Sequence, residues 1–347
     1  MKILIVKLSS IGDIIHTLPT LAAIRRALPE AEISWAVEKN AAEILRGNPM
    51  IDNLIEVDTR SMRGAKIVGE LVLNLGKRLK SLRVSDFDVA LDFQGLLKSA
   101  AIAKLSKATR RYGFSKRNLR EPASRFLLND TFEAESKISI YRKNLTLAQK
   151  ALNISVPETD YEFPIYTNET HRAEADVIIE QTGGNYAILN PAGGWATKLW
   201  TAEKFGALAD KLWRENSLAS VITTAPNEIE LAQKVLSNSF SGKLLIAQPT
   251  LKGFYELAKR AVIYVGGDTA PTHLAVAAKT PLVGLFGPTE WWRNGSPHEF
   301  DVCVERNDIG CRIDCHRRVC NNWICLDISV ETVFQAVQKR LKLTADE

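Results

Sequence analysis

Residues 262–289 constrain the fold of this 347-residue chain more than any other stretch. The segment 262–265 is a short β-branched and aromatic run, which is typical of a buried strand. Two glycines at 266–267 permit a tight turn, and Pro271 suits the first turn of a helix, where its missing N–H is not needed. A second apolar strand follows at 283–286. The order of strand, glycine turn, helix and strand predicts a parallel α/β sheet.

The start of the predicted helix indicates a ligand site. Its unpaired N–H groups favour a bound anion by roughly 0.3–1 kcal/mol. Asp268 lies at the mouth of the turn, where it can cap the helix or contact hydroxyl groups of a ligand, and the two roles are compatible. The predicted ligand therefore carries both phosphate and hydroxyl groups.

The first half of the chain repeats this pattern. A strand at 2–8 leads into Ser-Ser-Ile-Gly-Asp at 9–13 and then into an apolar helical spacing. Asp13 is thus predicted at the carboxyl end of a strand, the edge at which open parallel sheets bind ligands. The dinucleotide motif Gly-x-Gly-x-x-Gly is absent, and a carboxylate in its place suits proton abstraction.

The second half offers further candidates in loops that follow strands. Lys198 lies in a glycine-bearing loop after a strand at 186–190, where it is either a surface lysine or a phosphate ligand. Glu228 follows a strand at 220–224, a position that commonly takes ribose hydroxyls. Thr250 follows a strand at 244–247 and precedes a helix predicted at 253–260.

Basic residues are concentrated in one region. Residues 60–125 contain 16 Lys or Arg and five Asp or Glu, an excess of 11, although the whole chain carries only +5. The segment 65–82 is an amphipathic helix, either an ordinary surface helix or a membrane-surface one. The segment 107–125, predicted as a loop, favours an anionic partner because arginine binds carboxylate and phosphate with two hydrogen bonds. Nucleic acid is the rival anion, but no nucleic-acid-binding module is recognisable.

Length and composition predict two domains in a cytoplasmic protein, since the apolar runs are far shorter than the ~20 residues of a spanning helix. We expect a first domain at 1–160, an inter-domain stretch at 161–185, a second domain at 186–330 and a C-terminal helix at 331–347 that packs back on the first domain. Five cysteines lie within 303–325. Their spacing lacks the usual Cys-x2-Cys pair, so reduced thiols are favoured over a zinc or iron–sulfur site.

Six segments together resemble the lipopolysaccharide heptosyltransferases of glycosyltransferase family 9, most closely the heptosyltransferase I type. The resemblance covers nearly the whole chain and depends on the order and spacing of the segments. They are Lys-Leu-Ser-Ser-Ile-Gly-Asp-Ile-Ile-His-Thr-Leu-Pro at 7–19, Asp-Phe-Gln-Gly-Leu-Leu-Lys-Ser-Ala at 92–100, Arg-Glu-Pro at 120–122, Thr-Lys-Leu-Trp at 197–200, Gly-Gly-Asp-Thr-Ala-Pro-Thr-His-Leu at 266–274 and Phe-Gly-Pro-Thr at 286–289.

The resemblance implies a GT-B architecture, with two Rossmann-like domains whose parallel sheets face across a cleft. It implies inverting transfer of L-glycero-D-manno-heptose from ADP-heptose to a Kdo sugar of Kdo-lipid A, with no metal and no cofactor. The acceptor would place the enzyme peripherally on the inner face of the inner membrane. Two alternatives are a GT-B transferase for another nucleotide sugar or acceptor, and a non-catalytic module that binds anionic lipid or nucleic acid.

The same resemblance assigns roles to individual residues. Asp13 matches the general base. On the donor side it implies Lys198, Glu228, Asp268, Thr250 and the backbone N–H groups of Thr269 and Ala270. On the acceptor side it implies Arg60, Arg63, Arg120, Gln94 and Lys98.

Overall fold

The computed structural model describes residues 1–59, 86–225, 228–311, 315 and 317–345. The chain divides into two compact units, Met1–Tyr166 and Thr167–Glu347. The division falls inside the predicted inter-domain stretch at 161–185. The sequence segment 65–82 and the candidate residues Arg60 and Arg63 lie outside the described residues.

In the first unit, the described strands form one six-stranded parallel sheet in the order β3-β2-β1-β4-β5-β6. They are β1 (Lys2–Val6), β2 (Glu32–Glu38), β3 (Asn53–Val57), β4 (Val89–Asp92), β5 (Arg110–Phe114) and β6 (Asp130–Phe132). The central strand β1 pairs on one side with β2 and on the other with β4, Ile3 lying opposite Ile33 and Val89. The strand order reverses at β1 and β4, so their carboxyl ends flank the crevice in which doubly wound sheets bind ligands.

The helices of the first unit cover both faces of this sheet in the manner of a doubly wound fold. They are α1 (Ile11–Ile15), α2 (Leu18–Ala27), α3 (Leu97–Leu105) and α4 (Ile140–Leu152), with 3-10 helices at Lys39–Leu45, Lys116–Asn118 and Pro122–Leu127. The prediction of a loop over 107–125 is therefore partly wrong. Strand β5 pairs with β4 and β6 there, with Gly113 and Phe114 buried and Arg110 exposed.

The second unit repeats the arrangement, with its described strands in the order β12-β11-β10-β7-β8-β9. They are β7 (Tyr186–Asn190), β8 (Ala219–Thr223), β9 (Leu244–Ala247), β10 (Ile263–Gly267), β11 (Leu282–Phe286) and β12 (Val302–Glu305). Here the order reverses between β7 and β10, which pair in parallel. The predicted turn at Gly266 and Gly267 is wrong in its bounds, because both glycines pair with β11 as the last residues of β10, and Asp268 follows the strand at this second crevice.

The helices of the second unit are α5 (Glu169–Thr182), α6 (Ala202–Asn216), α7 (Ile229–Ser237), α8 (Leu251–Ala258), α9 (Ala270–Ala277), α10 (Trp291–Asn294) and α11 (Val330–Ala345). The C-terminal helix α11 contributes Val333, Phe334 and Val337 to the apolar core of this unit and packs against α6. Its buried face thus belongs to the second unit. No helix among the described residues is long and apolar enough to cross a membrane.

Candidate functional site

An ion pair joins two loops of the second unit at the β7–β10 crevice. Lys198 ends a 3-10 helix (Ala196–Lys198) after β7, and its Nζ lies 2.6 Å from Oδ2 of Asp268, which follows β10. The same ammonium donates to the carbonyl oxygen of Asp268 at 3.0 Å. Both side chains are largely buried. The predicted candidates Lys198 and Asp268 are therefore brought into direct contact.

Two further side chains complete what we call the Asp268 cluster, formed by Lys198, Asp268, His273 and Asn294. Nε2 of His273, on α9, lies 3.2 Å from Oδ1 of Asp268. Nδ2 of Asn294, in α10, donates to Oδ2 at 3.4 Å. Each oxygen of the carboxylate thus has a nitrogen partner, which is what a buried charge requires.

The glycines around this cluster explain how the two loops come so close. A Cβ atom on Gly267 would lie 3.1 Å from the carbonyl oxygen of Lys198, tighter than an ordinary contact. A Cβ atom on Gly193 would lie 3.6 Å from Cβ of Lys198 and 3.8 Å from Cγ2 of Thr269. The hydroxyl of Thr272 donates to the Gly267 carbonyl and fixes the turn. Larger residues here would push the Lys198 loop away.

The electrostatic environment keeps Asp268 ionised. Burial raises the pKa of this carboxyl, but hydrogen bonding and charge from His273, together with Lys198, outweigh burial and hold the pKa far below its usual range. The site therefore contains a fixed carboxylate, an ammonium and an imidazole at the edge of the sheet. Such a set can bind a polyhydroxylated ligand that also carries phosphate.

The N-terminus of α9 begins beside this cluster. Thr269 is its N-cap and Pro271 lies in its first turn. Within the described part of the chain, no protein acceptor is bonded to the backbone N–H groups of Thr269 and Ala270. These groups carry the partial positive charge that favours an anion at a helix start.

An open pocket of about 270 Å³ adjoins the same loop. It is lined by Ala192, Gly193, Leu199, Glu228, Glu230, Leu231 and Lys234. Gly193 lines the pocket and also lies close to Lys198 and Thr269, so the pocket is adjacent to the Asp268 cluster. The predicted candidate Glu228 therefore lies in the pocket, where its carboxylate accepts from the N–H of Ala225 at 3.0 Å.

Thr250 is held by local contacts. It is the N-cap of α8, and its hydroxyl accepts from the N–H of Gly253 at 3.0 Å. The same hydroxyl donates to Glu174 at 2.6 Å, and its backbone N–H donates to the other oxygen of Glu174 at 2.8 Å. The hydroxyl of Thr250 is thus already engaged in a helix cap and a carboxylate contact.

In the first unit, Asp13 lies in the first turn of α1, the short helix that follows β1. Its Oδ2 accepts from the backbone N–H and the hydroxyl of Ser10, at 2.9 and 3.0 Å. Its Oδ1 lies 3.8 Å from Nζ of Lys7, and 40% of the Asp13 side chain is exposed. Asp13 therefore caps α1 and also presents a carboxylate to solvent.

Charge around Asp13 favours its ionised form. Partial desolvation raises the pKa of the carboxyl, whereas Lys7, His16 and the hydrogen bonds from Ser10 lower it, and the pKa is below its usual value. A neighbouring carboxyl behaves oppositely, because burial raises the pKa of Asp92 to about 6. Asp92 accepts from the N–H groups of Gln94 and Gly95 and from the hydroxyl of Ser99.

The predicted acceptor residues have different surroundings. The side-chain oxygen of Gln94 accepts from the N–H groups of Leu8 and Ser9 at 3.0 and 3.1 Å, so Gln94 supports the loop that carries Asp13. Lys98 forms an ion pair with the buried Glu38 at 3.1 Å and donates to Thr59 at 3.0 Å. Arg120 is exposed.

Sequence reasoning missed two residues. His273 lies within the quoted segment 266–274, yet its contact with Asp268 depends on the fold of α9 against β10. In the sequence, Lys7 is recognisable as a charged residue that interrupts the first apolar strand. Only the structure shows that its ammonium is buried beside Asp13. Both contacts join residues five or six positions apart in the chain.

The cysteine segment packs against the Lys198 loop. The hydroxyl of Thr197 donates to the carbonyl of Arg317 at 2.6 Å, and Nε1 of Trp323 donates to the carbonyl of Thr197 at 3.2 Å. All five cysteines are free. Burial, with the neighbouring thiols, raises the pKa of Cys325. Among the described residues, no group of three or more His, Cys, Asp or Glu side chains could hold a metal ion.

Two doubly wound units, each with charged side chains where the strand order reverses, define a glycosyltransferase-type GT-B fold. The family model of glycosyltransferase family 9 (heptosyltransferase) matches residues 75–322, and the chain belongs to this family. It is therefore a glycosyltransferase enzyme.

Its relatives are consistent with this assignment. The chain is 31% identical to lipopolysaccharide heptosyltransferase 1 of Pseudomonas aeruginosa over 292 residues, covering 83% of this chain and 79% of that protein. It is 27% identical to lipopolysaccharide heptosyltransferase 1 of Escherichia coli K12, covering 84% and 89%. The structure of E. coli heptosyltransferase WaaC with ADP-2-deoxy-2-fluoro heptose superposes with a TM-score of 0.76 at 23% identity, covering 98% of this chain and 99% of that one.

Proposed function

We propose that this protein transfers L-glycero-D-manno-heptose from ADP-heptose to a Kdo residue of Kdo-lipid A, with inversion and without a metal ion. The observation that carries the proposal is the Asp268 cluster beside the N-terminus of α9, where the Nζ of Lys198 lies 2.6 Å from Oδ2 of Asp268. This is a site for an anion and hydroxyl groups together, and ADP-heptose carries both.

The second unit would bind the donor. Lys198 has three N–H bonds, of which Asp268 takes two, and the third can donate to a diphosphate oxygen. The N–H groups of Thr269 and Ala270 would bind the same diphosphate, and Asp268 would accept from hydroxyls of the heptose. Glu228, in the adjoining pocket, would accept from the ribose hydroxyls.

The first unit would bind the acceptor and supply the base. The acceptor hydroxyl oxygen forms a bond to the anomeric carbon while the bond from that carbon to the ADP oxygen breaks. Asp13 takes the hydroxyl proton, and ADP leaves with the bonding electron pair. A single displacement of this kind inverts the anomeric centre. Lys7, His16 and Ser10 hold the pKa of Asp13 below its usual value, which favours an ionised carboxylate before the reaction.

The leaving ADP gains negative charge as its bond breaks. Lys198 and the two N–H groups at the start of α9 would stabilise that charge, a role that a bound metal ion can also fill. We therefore propose that the transfer needs no metal ion.

Acceptor recognition would depend on cations. Arg120 is exposed and is proposed to bind a carboxylate or phosphate of Kdo-lipid A. Lys98 would reach the acceptor only by sharing its ammonium with Glu38, so we propose a weaker role for it. Arg60 and Arg63 stay predictions from the sequence. Thr250 and Gln94 are proposed to shape the donor and acceptor loops through their backbone contacts.

The acceptor is a lipid, so the enzyme would associate peripherally with the cytoplasmic face of the inner membrane. The exposed Phe126 supports this proposal, since this residue is 80% exposed and directly follows the basic segment 107–125. An anionic lipid surface attracts such a segment by about 1 kcal/mol per cation near the surface. Nucleic acid is not a proposed partner.

The proposal is tested by incubating the purified protein with ADP-heptose and a defined Kdo-lipid acceptor in a chelator, followed by mass spectrometry. The expected product gains one heptose, and NMR of the new linkage should show the inverted anomer. A product only with a different ADP-sugar would favour another GT-B specificity. Binding to anionic vesicles or nucleic acid without any transfer would favour the non-catalytic alternative.

A further inference from the structure

Lys7 is a buried lysine at the carboxyl end of β1. Only 4% of its side chain is exposed. Its Nζ donates to the carbonyl oxygen of Phe93, after β4, at 2.9 Å, and its own carbonyl accepts from Nε1 of Trp35, in β2, at 3.1 Å. The contacts of this one residue therefore connect three neighbouring strands and hold its ammonium in one position.

The ammonium of Lys7 lies among carboxylates. Oδ1 of Asp13 is 3.8 Å away, and the buried Asp92 also interacts with its charge. Other titratable groups among the described residues near this sheet edge are His16, which follows α1 and packs against the ring of Tyr141, the ion pair of Lys98 with Glu38, and Glu121, which accepts from the N–H of Leu97. Lys7 is the cation that contacts Asp13 from the strand side.

Burying an ammonium is costly, and an apolar residue of similar volume would often serve packing as well or better. A buried lysine at this position therefore indicates a use for its charge. Among the described residues, the charge of Lys7 acts on two carboxylates, Asp13 and Asp92. Asp92 is fully buried, so Asp13 is the one that a substrate can reach.

We propose that Lys7 is a positioning residue for the Asp13 carboxylate. Lys7 fixes Oδ1 by charge while Ser10 fixes Oδ2 by two hydrogen bonds, so the carboxylate has one orientation. The inference depends on the proposed role of Asp13 as general base.

The charge of Lys7 has a second consequence during the reaction. Both proposed substrates are anions, and an approaching negative charge disfavours ionised Asp13. A fixed ammonium on the protein side offsets that effect, so that the base stays ionised when the substrates are bound. A neutral residue that only bridges β1 and β4 would not have this effect.

The test compares Lys7→Gln, Lys7→Met and Lys7→Arg by the pH dependence of kcat/KM for heptose transfer. Glutamine can still donate to the Phe93 carbonyl but carries no charge, whereas arginine keeps the charge. We expect the acid limb to move upward by about 1–3 pH units in Lys7→Gln and Lys7→Met, and to stay near the wild-type position in Lys7→Arg. Lys2→Gln, which removes an exposed lysine from the same strand, is the matched control.

An unchanged acid limb in folded Lys7→Gln, with only a lower kcat, would overturn the proposal and leave Lys7 a purely structural role. If both uncharged variants fail to fold, the acid limb of the double variant Ser10→Ala/His16→Gln decides, because it lacks the other two side chains that lower the pKa of Asp13. A midpoint below about 3.9 supports the proposal, and a midpoint above that value overturns it. Failure of the proposed function itself is recognised separately, because the wild-type protein would then give no heptosylated product, whereas a fully active Asp13→Asn variant would refute only the role of Asp13 as base.

Discussion

The ammonium of Lys198 lies 2.6 Å from Oδ2 of Asp268, which ties the loop after β7 to the turn after β10. These loops meet because the strand order of the second sheet reverses between β7 and β10. The pair thus fixes the geometry of the proposed donor site and at the same time supplies its charge. Removing either partner should therefore affect both stability and donor binding.

Asp268→Asn is expected to destabilise the second unit by about 3–5 kcal/mol at pH 7, because it leaves Lys198 without its buried carboxylate. The affinity for ADP-heptose should also fall. Urea unfolding and isothermal titration with the donor measure the two effects. The matched control is Asp327→Asn, which breaks an exposed ion pair with Lys204 in the same unit and should change little. Equal stabilities of Asp268→Asn and wild type would show that the buried pair is not needed for the fold.

The stabilisation from Asp268 should depend on pH in a defined direction. Its folded pKa is far below that of an unfolded aspartate, so its contribution is complete above about pH 4 and is lost as the pH falls further. The difference in unfolding free energy between wild type and Asp268→Asn should therefore be constant from pH 7 to about 5 and shrink below pH 4. A difference that grows on acidification would contradict the assignment.

Asp92 should behave in the opposite way. Its pKa of about 6 in the folded protein exceeds that of an unfolded aspartate, so its contribution is most favourable below about pH 4 and is lost as the pH rises to about 6. Relative to wild type, Asp92→Asn should gain stability between pH 4 and 7, on the order of 2 kcal/mol. Urea unfolding at several pH values measures this gain.

The control for Asp92 is Asp88→Asn, which changes the net charge by the same unit at an exposed position just before β4. It corrects for the general effect of charge on stability. A stability difference between wild type and Asp92→Asn that is flat over this pH range would mean that the pKa of Asp92 is the same in the folded and the unfolded protein.

Asp13→Asn is expected to lower kcat by about 10²–10⁴, the usual contribution of a general base. Asparagine can still accept from Ser10 through its side-chain oxygen, so α1 should remain capped. Affinity for ADP should stay at the wild-type value, because the proposed donor residues belong to the other unit. Ser10→Ala removes one hydrogen bond to the carboxylate but keeps the base, and it should cost less than Asp13→Asn. A fully active Asp13→Asn enzyme would remove Asp13 from the mechanism.

The sequence predicted the local pattern of the fold well because each strand, glycine turn and helix start is encoded by neighbouring residues. Asp13, Lys198 and Asp268 were expected in the segments that follow strands. Asp268 directly follows β10, whereas Asp13 lies in the short helix α1 after β1 and Lys198 in the 3-10 helix after β7. Contacts set by the packing of elements were not predictable in the same way. His273 contacts Asp268 because the first turn of α9 brings its side chain back beside the residues that precede the helix. Lys7 contacts Phe93 because β1 pairs with β4.

The missed strand β5 has a similar cause. Its sequence, Arg-Arg-Tyr-Gly-Phe, has the charge of a loop. Helix α3 separates it from its partner β4, and two 3-10 helices separate it from its partner β6. Strand formation there depends on pairing with these two strands. Charge alone therefore misled the prediction for 107–125, although the cations themselves lie on the surface as expected.

Membrane association should depend on salt and on Phe126. Wild-type protein is expected to bind vesicles that contain anionic lipid, and the binding should weaken as salt rises, because the attraction of the basic segment is screened within about 10 Å at 0.1 M salt. Phe126→Ser should reduce the vesicle-bound fraction at every salt concentration, since the exposed ring contributes apolar contact. Phe240→Ser is the matched control, because Phe240 is 89% exposed but lies outside the basic segment. Equal losses in both variants would mean that exposed aromatic side chains act without regard to position, and salt-insensitive binding would indicate apolar insertion as the main contribution.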